Sequence, residues 1–130
     1  MHEKALILDT CGFLWLVSGD SMLSDSAKEN IERAAIVYVS AISAWEISLK
    51  CSQGAITLPL PPTEWFKKSI EQHNLVIAPL DIDILISANQ LPWHHRDPAD
   101  RFIIATALRE NIPVVTADSN FEKYGVRIII

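Results

Sequence analysis

The sequence has no excess of positive charge: 11 Lys and Arg stand against 16 Asp and Glu, a formal net charge of −5. That argues against a protein that coats nucleic acid through a broad basic face. It leaves room for an enzyme acting on nucleic acid, because a carboxylate cluster inflates the negative count and a bound divalent cation reverses it locally. Cysteine is also scarce. Cys11 and Cys51 are the two present, neither in a Cys-x-x-Cys pair nor opening a Cys-x5-Arg phosphatase loop. Both sit in apolar, helix-like contexts and read as reduced thiols used for packing. No apolar run is long enough to span a bilayer. The N-terminus meets Asp9 too soon for a secretory signal, so a cytoplasmic protein is expected.

What the chain does have is a core. Its 130 residues are 49% hydrophobic, with a mean hydropathy of +0.19, which suits one domain over residues 1–130 and excludes disorder. Ala5-Leu6-Ile7-Leu8 and Ile36-Val37-Tyr38-Val39 read as strands buried on both faces. Leu75 to Ala78, Pro113 to Thr116 and Val126 to Ile130 supply three more. Helices are expected over Cys11–Val17, from the Ser24 cap to Arg33, and from the Ser40 cap to about Cys51. A further helix capped by Thr63 runs to Gln72. Asp81–Gln90 shows an apolar stripe at Ile82, Leu85 and Ile86, and Pro98–Glu110 follows Asp97. Strands alternating with helices predict an α/β fold: three layers, α/β/α, around a mostly parallel sheet of about five strands.

In such sheets ligands sit outside the C-terminal strand ends. Asp9 directly follows the first strand and Asp118 comes two residues after the fourth. Glu46 lies on the helix leaving the second strand, and Asp100 opens the helix leading into the fourth. Each acid has a plainer explanation. Glu46 shares one helix side with Ser43 and Lys50, as a solvated face would. Asp97-Pro98-Ala99-Asp100 is a good helix start, and Asp118 suits a cap. Asp9 has the weakest such excuse. Together the four make sense if a cation holds them, because crowded carboxylates repel and raise one another's pKa. Oxygen ligands favour Mg2+ or Mn2+.

Four segments in this order resemble the PIN-domain ribonucleases, in particular the VapC-like toxins. They are Leu6 to Thr10, Val39 to Ile47, His95 to Ala107 and Val115 to Phe121. The resemblance spans nearly the whole chain. It implies that Asp9, Glu46, Asp100 and Asp118 form a Mg2+- or Mn2+-binding catalytic tetrad that hydrolyses single-stranded RNA. Asp9, Asp100 and Asp118 would be the ligands, and Glu46 would orient or deprotonate water. Thr10, Thr116 and Asn120 would support the acids or waters, with Asp97 as the helix cap. It further implies a homodimer and a cognate antitoxin, while the lack of a spanning apolar run leads us to expect no membrane. Arg101, Arg96 and His95 are phosphate-contact candidates or plain surface residues. Trp15, Trp45 and Trp65 suit core packing, or contacts with a partner.

Rival readings are weaker. A haloacid-dehalogenase-like phosphatase needs a second acid where Cys11 stands. His94 and His95 are adjacent and lack the spacing of a helical metal pair. The non-enzymatic alternative is an α/β interaction module whose acids are caps and surface charges.

Overall fold

The fold is described from a computed structural model over residues 4–94 and 97–130. His95 and Arg96, named above as phosphate candidates, lie outside the described residues, so the adjacent-histidine reading falls outside them too. Strand β1 (Ala5–Leu8) occupies the centre of a five-stranded sheet of order β3-β2-β1-β4-β5. The other strands are β2 (Ile36–Ser40), β3 (Val76–Ala78), β4 (Val114–Val115) and β5 (Ile128–Ile129), and every pairing is parallel. Leu6, Ile7 and Leu8 are all fully buried, the signature of a strand covered on both faces.

Alternate side chains of β1 feed two cores. Leu6 and Leu8 pack with Phe13, Ala27, Trp65 and Phe66. These come from α1 (Thr10–Ser18), α2 (Asp25–Arg33) and α4 (Pro62–Gln72). The Phe13 ring lies 5.6 Å from that of Trp65 and 5.1 Å from that of Phe66. Ile7 faces the other way, onto Ile103, Ile104 and Ala107 of α6 (Pro98–Glu110). Helix α5 (Ile82–Gln90) packs on α6 through Ile84, Ala88 and Ala105. Helices on both faces of one all-parallel sheet give the expected three layers.

The register positions the site. Leu8 is opposite both Val39 and Val115, so Asp9, Ser40 and Thr116 form the next row along the C-terminal edge. Asp9 caps α1, and Ser40 caps α3 (Ala41–Ser52), accepting from the Ile42 N–H at 3.2 Å.

Several expectations are corrected. Helix α4 starts at Pro62 behind Pro61, with no side-chain cap, so Thr63 lies inside it. The stripe expected on α5 faces solvent: Ile82, Leu85 and Ile86 are 72%, 40% and 54% exposed, whereas Ile84 and Ala88 are buried. Contacts at both ends of the helix set its rotation. Arg109 pairs with the Asp81 cap at 2.7 Å, and Arg101 grips the Ala88 and Leu91 carbonyls at 2.7 and 2.8 Å. Trp45 is 56% exposed rather than core, whereas Trp65 is buried and Trp15 half-buried. Cys11 is exposed rather than packed, because Thr10 is the residue that α1 turns inward.

This rotation predicts unequal mutational costs on α5. Ile84→Ala should lose about 2–5 kcal/mol in urea unfolding, whereas Ile86→Lys should stay within about 0.5 kcal/mol. Equal losses would place α5 the other way round.

Candidate active site

Asp9 is the most constrained of the four acids. Its backbone N–H donates to the Val115 carbonyl at 3.1 Å, tying it to β4. Its Oδ1 accepts the Gly12 N–H at 2.7 Å, and the Thr116 hydroxyl also donates to its carboxylate. Gly12 makes this close approach possible. A Cβ there would stand 3.0 Å from Asp9 Oδ1 and 3.2 Å from the Val115 carbonyl oxygen. Even glycine's small size therefore has a purpose in this first helical turn.

Thr116 connects two of the acids. Its Oγ1 accepts the Asp118 N–H at 3.0 Å while its hydrogen serves Asp9. Asp118 in turn caps the short 3-10 helix Ser119–Tyr124, accepting the Asn120 N–H at 2.9 Å. This contact uses the backbone N–H of Asn120, not its side chain. Glu46 lies half-buried on α3, which is clasped to α1 by a buried hydrogen bond of 2.8 Å between the Thr10 and Ser43 hydroxyls. Asp100 is half-buried in the first turn of α6, where Asp97 takes the cap by accepting the Ala99 N–H at 3.0 Å.

These groups are electrostatically coupled. Burial raises the Asp9 carboxyl above its ordinary range, against the Thr116 and Gly12 hydrogen bonds. The negative charges of Glu46 and Asp118 push it further up. The Cys11 thiol is raised first by desolvation and then by Asp9, with Glu46 and Asp100 adding to the effect and Lys50 opposing it. All four acids therefore lie within electrostatic reach of the start of α1. Among the described residues no three His, Cys, Asp or Glu stand close enough to enclose an ion. Ligation would need these side chains to draw together around one ion. The donor set itself, carboxylate oxygens around a buried and destabilised Asp9, fits a hard divalent cation.

Arg101 is not placed for a phosphate, nor on the surface. It is 3% exposed. Its Nη2 donates to the carbonyls of Ala88 and Leu91, and its Nη1 to that of Pro92 at 2.9 Å and to the Tyr124 hydroxyl at 3.4 Å. Trp93 covers the guanidinium at 3.7 Å from its ring centre. One side chain thus ties the end of α5 to the first turn of α6, beside Asp100, and to the 3-10 helix that Asp118 opens. Sequence reasoning missed this role, because a partner set of main-chain carbonyls leaves no motif. It also missed Gly12, which the spacing Asp9-x-x-Gly12 at a strand end does signal.

A family model for the PIN domain matches residues 6–127. Ribonuclease VapC22 of Mycobacterium tuberculosis is 31% identical over 121 residues, which cover 92% of this chain and 91% of that protein. VapBC2 from Rickettsia felis, solved bound to a promoter DNA fragment, superposes with a TM-score of 0.69 at 14% identity, covering 96% of this chain and 97% of that one. DNA-bound VapBC from Salmonella typhimurium gives a TM-score of 0.69 at 19% identity, covering 99% and 98%. At these identities the two structures speak for the fold alone.

Two predictions follow from the local contacts. Arg101→Met should destabilise the chain by at least about 3 kcal/mol in urea unfolding, because buried carbonyls lose their donor. A loss under 1 kcal/mol would mean the clamp is idle. For Asp9 the sign comes from its raised carboxyl: the folded state binds the proton more tightly than the unfolded chain, so ionisation costs stability as pH rises above the ordinary value of 3.8. In metal-free buffer, Asp9→Asn should therefore gain stability over the parent as pH climbs through that range, and the gain should shrink in acid. Thermal melts across pH would show it, and a destabilised variant at neutral pH would contradict it.

Proposed function

The chain belongs to the PIN-domain family, and on that footing we propose that it is a metal-dependent endoribonuclease. It works as a single domain over residues 1–130, in the cytoplasm, as the toxin of a toxin–antitoxin pair. The observation that carries this reading is the buried Asp9, held at the C-terminal edge of the central strand and electrostatically burdened by Glu46 and Asp118. A buried carboxylate gathered with others is costly without a cation. The VapC22 relative, a ribonuclease by name, supports RNA as the substrate class.

In this reading Asp9, Asp100 and Asp118 hold the cation, directly or through water. Bound Mg2+ or Mn2+ supplies a Lewis acid that activates water and neutralises charge on the phosphodiester. Glu46 orients the attacking water and takes its proton. The water oxygen bonds to phosphorus as the bond to the leaving ribose oxygen breaks, that oxygen taking a proton from solvent, with no covalent intermediate on the chain. The Gly12 N–H and the Thr116 hydroxyl fix the Asp9 carboxylate, so its orientation costs nothing at the moment of reaction. Capping through one carboxylate oxygen does not preclude ligation through the other, so the caps at Asp9 and Asp118 are compatible with catalysis.

An antitoxin and a second copy of the chain are the proposed partners, alongside RNA. Exposed Trp45, Val76, Ile77, Ile82 and Ile86 offer apolar surface for protein contacts. Among the described residues no helix is long and apolar enough to cross a membrane.

The test combines binding and activity. Mn2+ at a hundredfold excess over its Kd should raise stability by about 2.7 kcal/mol. Asp9→Asn should abolish that gain and RNA cleavage together. A parent chain neither stabilised by Mn2+ nor able to cut RNA would favour an interaction module whose acids only cap helices.

A further inference from the structure

RNA approaching four carboxylates needs a cation of the protein's own to hold the strand beside them. The chain carries a net charge of −5, which argues against a general basic face as its source. We infer that Lys50 is that contact: its ammonium binds a phosphate of the RNA strand flanking the one that is cut. This inference rests on the nuclease reading above.

The placement is geometric. Lys50 lies one turn beyond Glu46 on α3, about 6 Å further along the helix axis. Ser43, Glu46 and Lys50 share one side of that helix. The orientation of this side is fixed, because Ser43 is buried and bonded at 2.8 Å to Thr10, the residue after Asp9. Lys50 itself is half-buried, which keeps its aliphatic stem against the protein and its charge near the rim. Among the described residues Lys50 forms no ion pair with a carboxylate, although Glu46 sits four residues before it in the orientation that favours one. Its place in the last turn of α3 also suits the helix dipole. A dipole role alone would leave RNA binding untouched, and that separates the two accounts.

The offset from Glu46 decides which phosphate is held. A group one turn away from the residue that handles water reaches a neighbouring phosphate rather than the reacting one. Lys50 should therefore govern binding more than chemistry, and its contact should be indifferent to base sequence.

The experiment measures binding of a fluorescein-labelled, random-sequence, single-stranded oligoribonucleotide, with Ca2+ replacing Mg2+, over a range of salt. Lys50→Met should weaken binding about three- to tenfold and lower the slope of log K against log salt by about 0.7, the loss of one phosphate contact on a single strand. Lys50→Arg should keep both, and Lys28→Met on α2 should change neither. Lys50→Gln repeats the test without adding apolar surface, with thermal melts confirming that each variant is folded. A folded Lys50→Met or Lys50→Gln with the parent's affinity and salt slope would overturn the inference while leaving the nuclease reading standing. A parent chain that fails to bind RNA at all would overturn the nuclease reading, and this inference with it.

Discussion

The structure depends on where it leaves one carboxylate. β1 is the central strand, buried on both faces, and its next residue is Asp9. A chain that fills three strand positions with Leu6, Ile7 and Leu8 and then places an acid in the same row has made that acid hard to solvate. Two donors, the Gly12 N–H and the Thr116 hydroxyl, offset part of the cost. They do not offset all of it, since burial still dominates and the carboxyl remains above its ordinary range. The arrangement suits a group that gains a further cationic partner.

The surrounding elements can be read as consequences of that position. α1 must begin immediately at Asp9 and pass close over β4, which is why its third residue is Gly12. The Thr10–Ser43 bond pins α3 against α1 and brings the Glu46 side of α3 to the same edge. Thr116 ends β4 in register with Asp9 and fixes the Asp118 N–H through the hydroxyl that also serves Asp9. Short polar residues at strand ends thus do the positioning, while the apolar rows behind them supply the energy that holds the edge in place.

Much of this was legible in the sequence because it is local. Continuous apolar runs named the strands, the Ser24, Ser40 and Asp97 caps set helix starts close to those observed, and alternation of elements fixed the parallel sheet. Asp9 and the segment leading to Asp118 share one edge because parallel strands bring their ends together, and that follows from topology. What was not legible depends on tertiary contacts. Nothing within Ile82–Gln90 says that Ile84 and Ala88, rather than the larger stripe at Ile82, Leu85 and Ile86, meet α6. Arg109 and Arg101, at opposite ends of α6, decide it. Cys11 and Trp45 went astray similarly: each lies in an apolar stretch, but helix rotation, set by Thr10 and Ser43, turns both outward.

Arg101 shows how a charge can serve a site without touching its chemistry. A sequence rich in acids and followed by an arginine invites a phosphate contact. The fold spends that arginine on carbonyls at the end of α5, where main-chain acceptors have no helical donors left. Lysine could not substitute cleanly, because a compact ammonium lacks the planar fork that reaches Ala88, Leu91 and Pro92 together. The same guanidinium touches Tyr124, at the far end of the 3-10 helix opened by Asp118. The spacing between Asp100, one residue before Arg101, and Asp118 is therefore braced from inside the protein. With Arg101 turned inward, strand binding is assigned instead to Lys50, on the side of α3 that Ser43 turns toward Thr10.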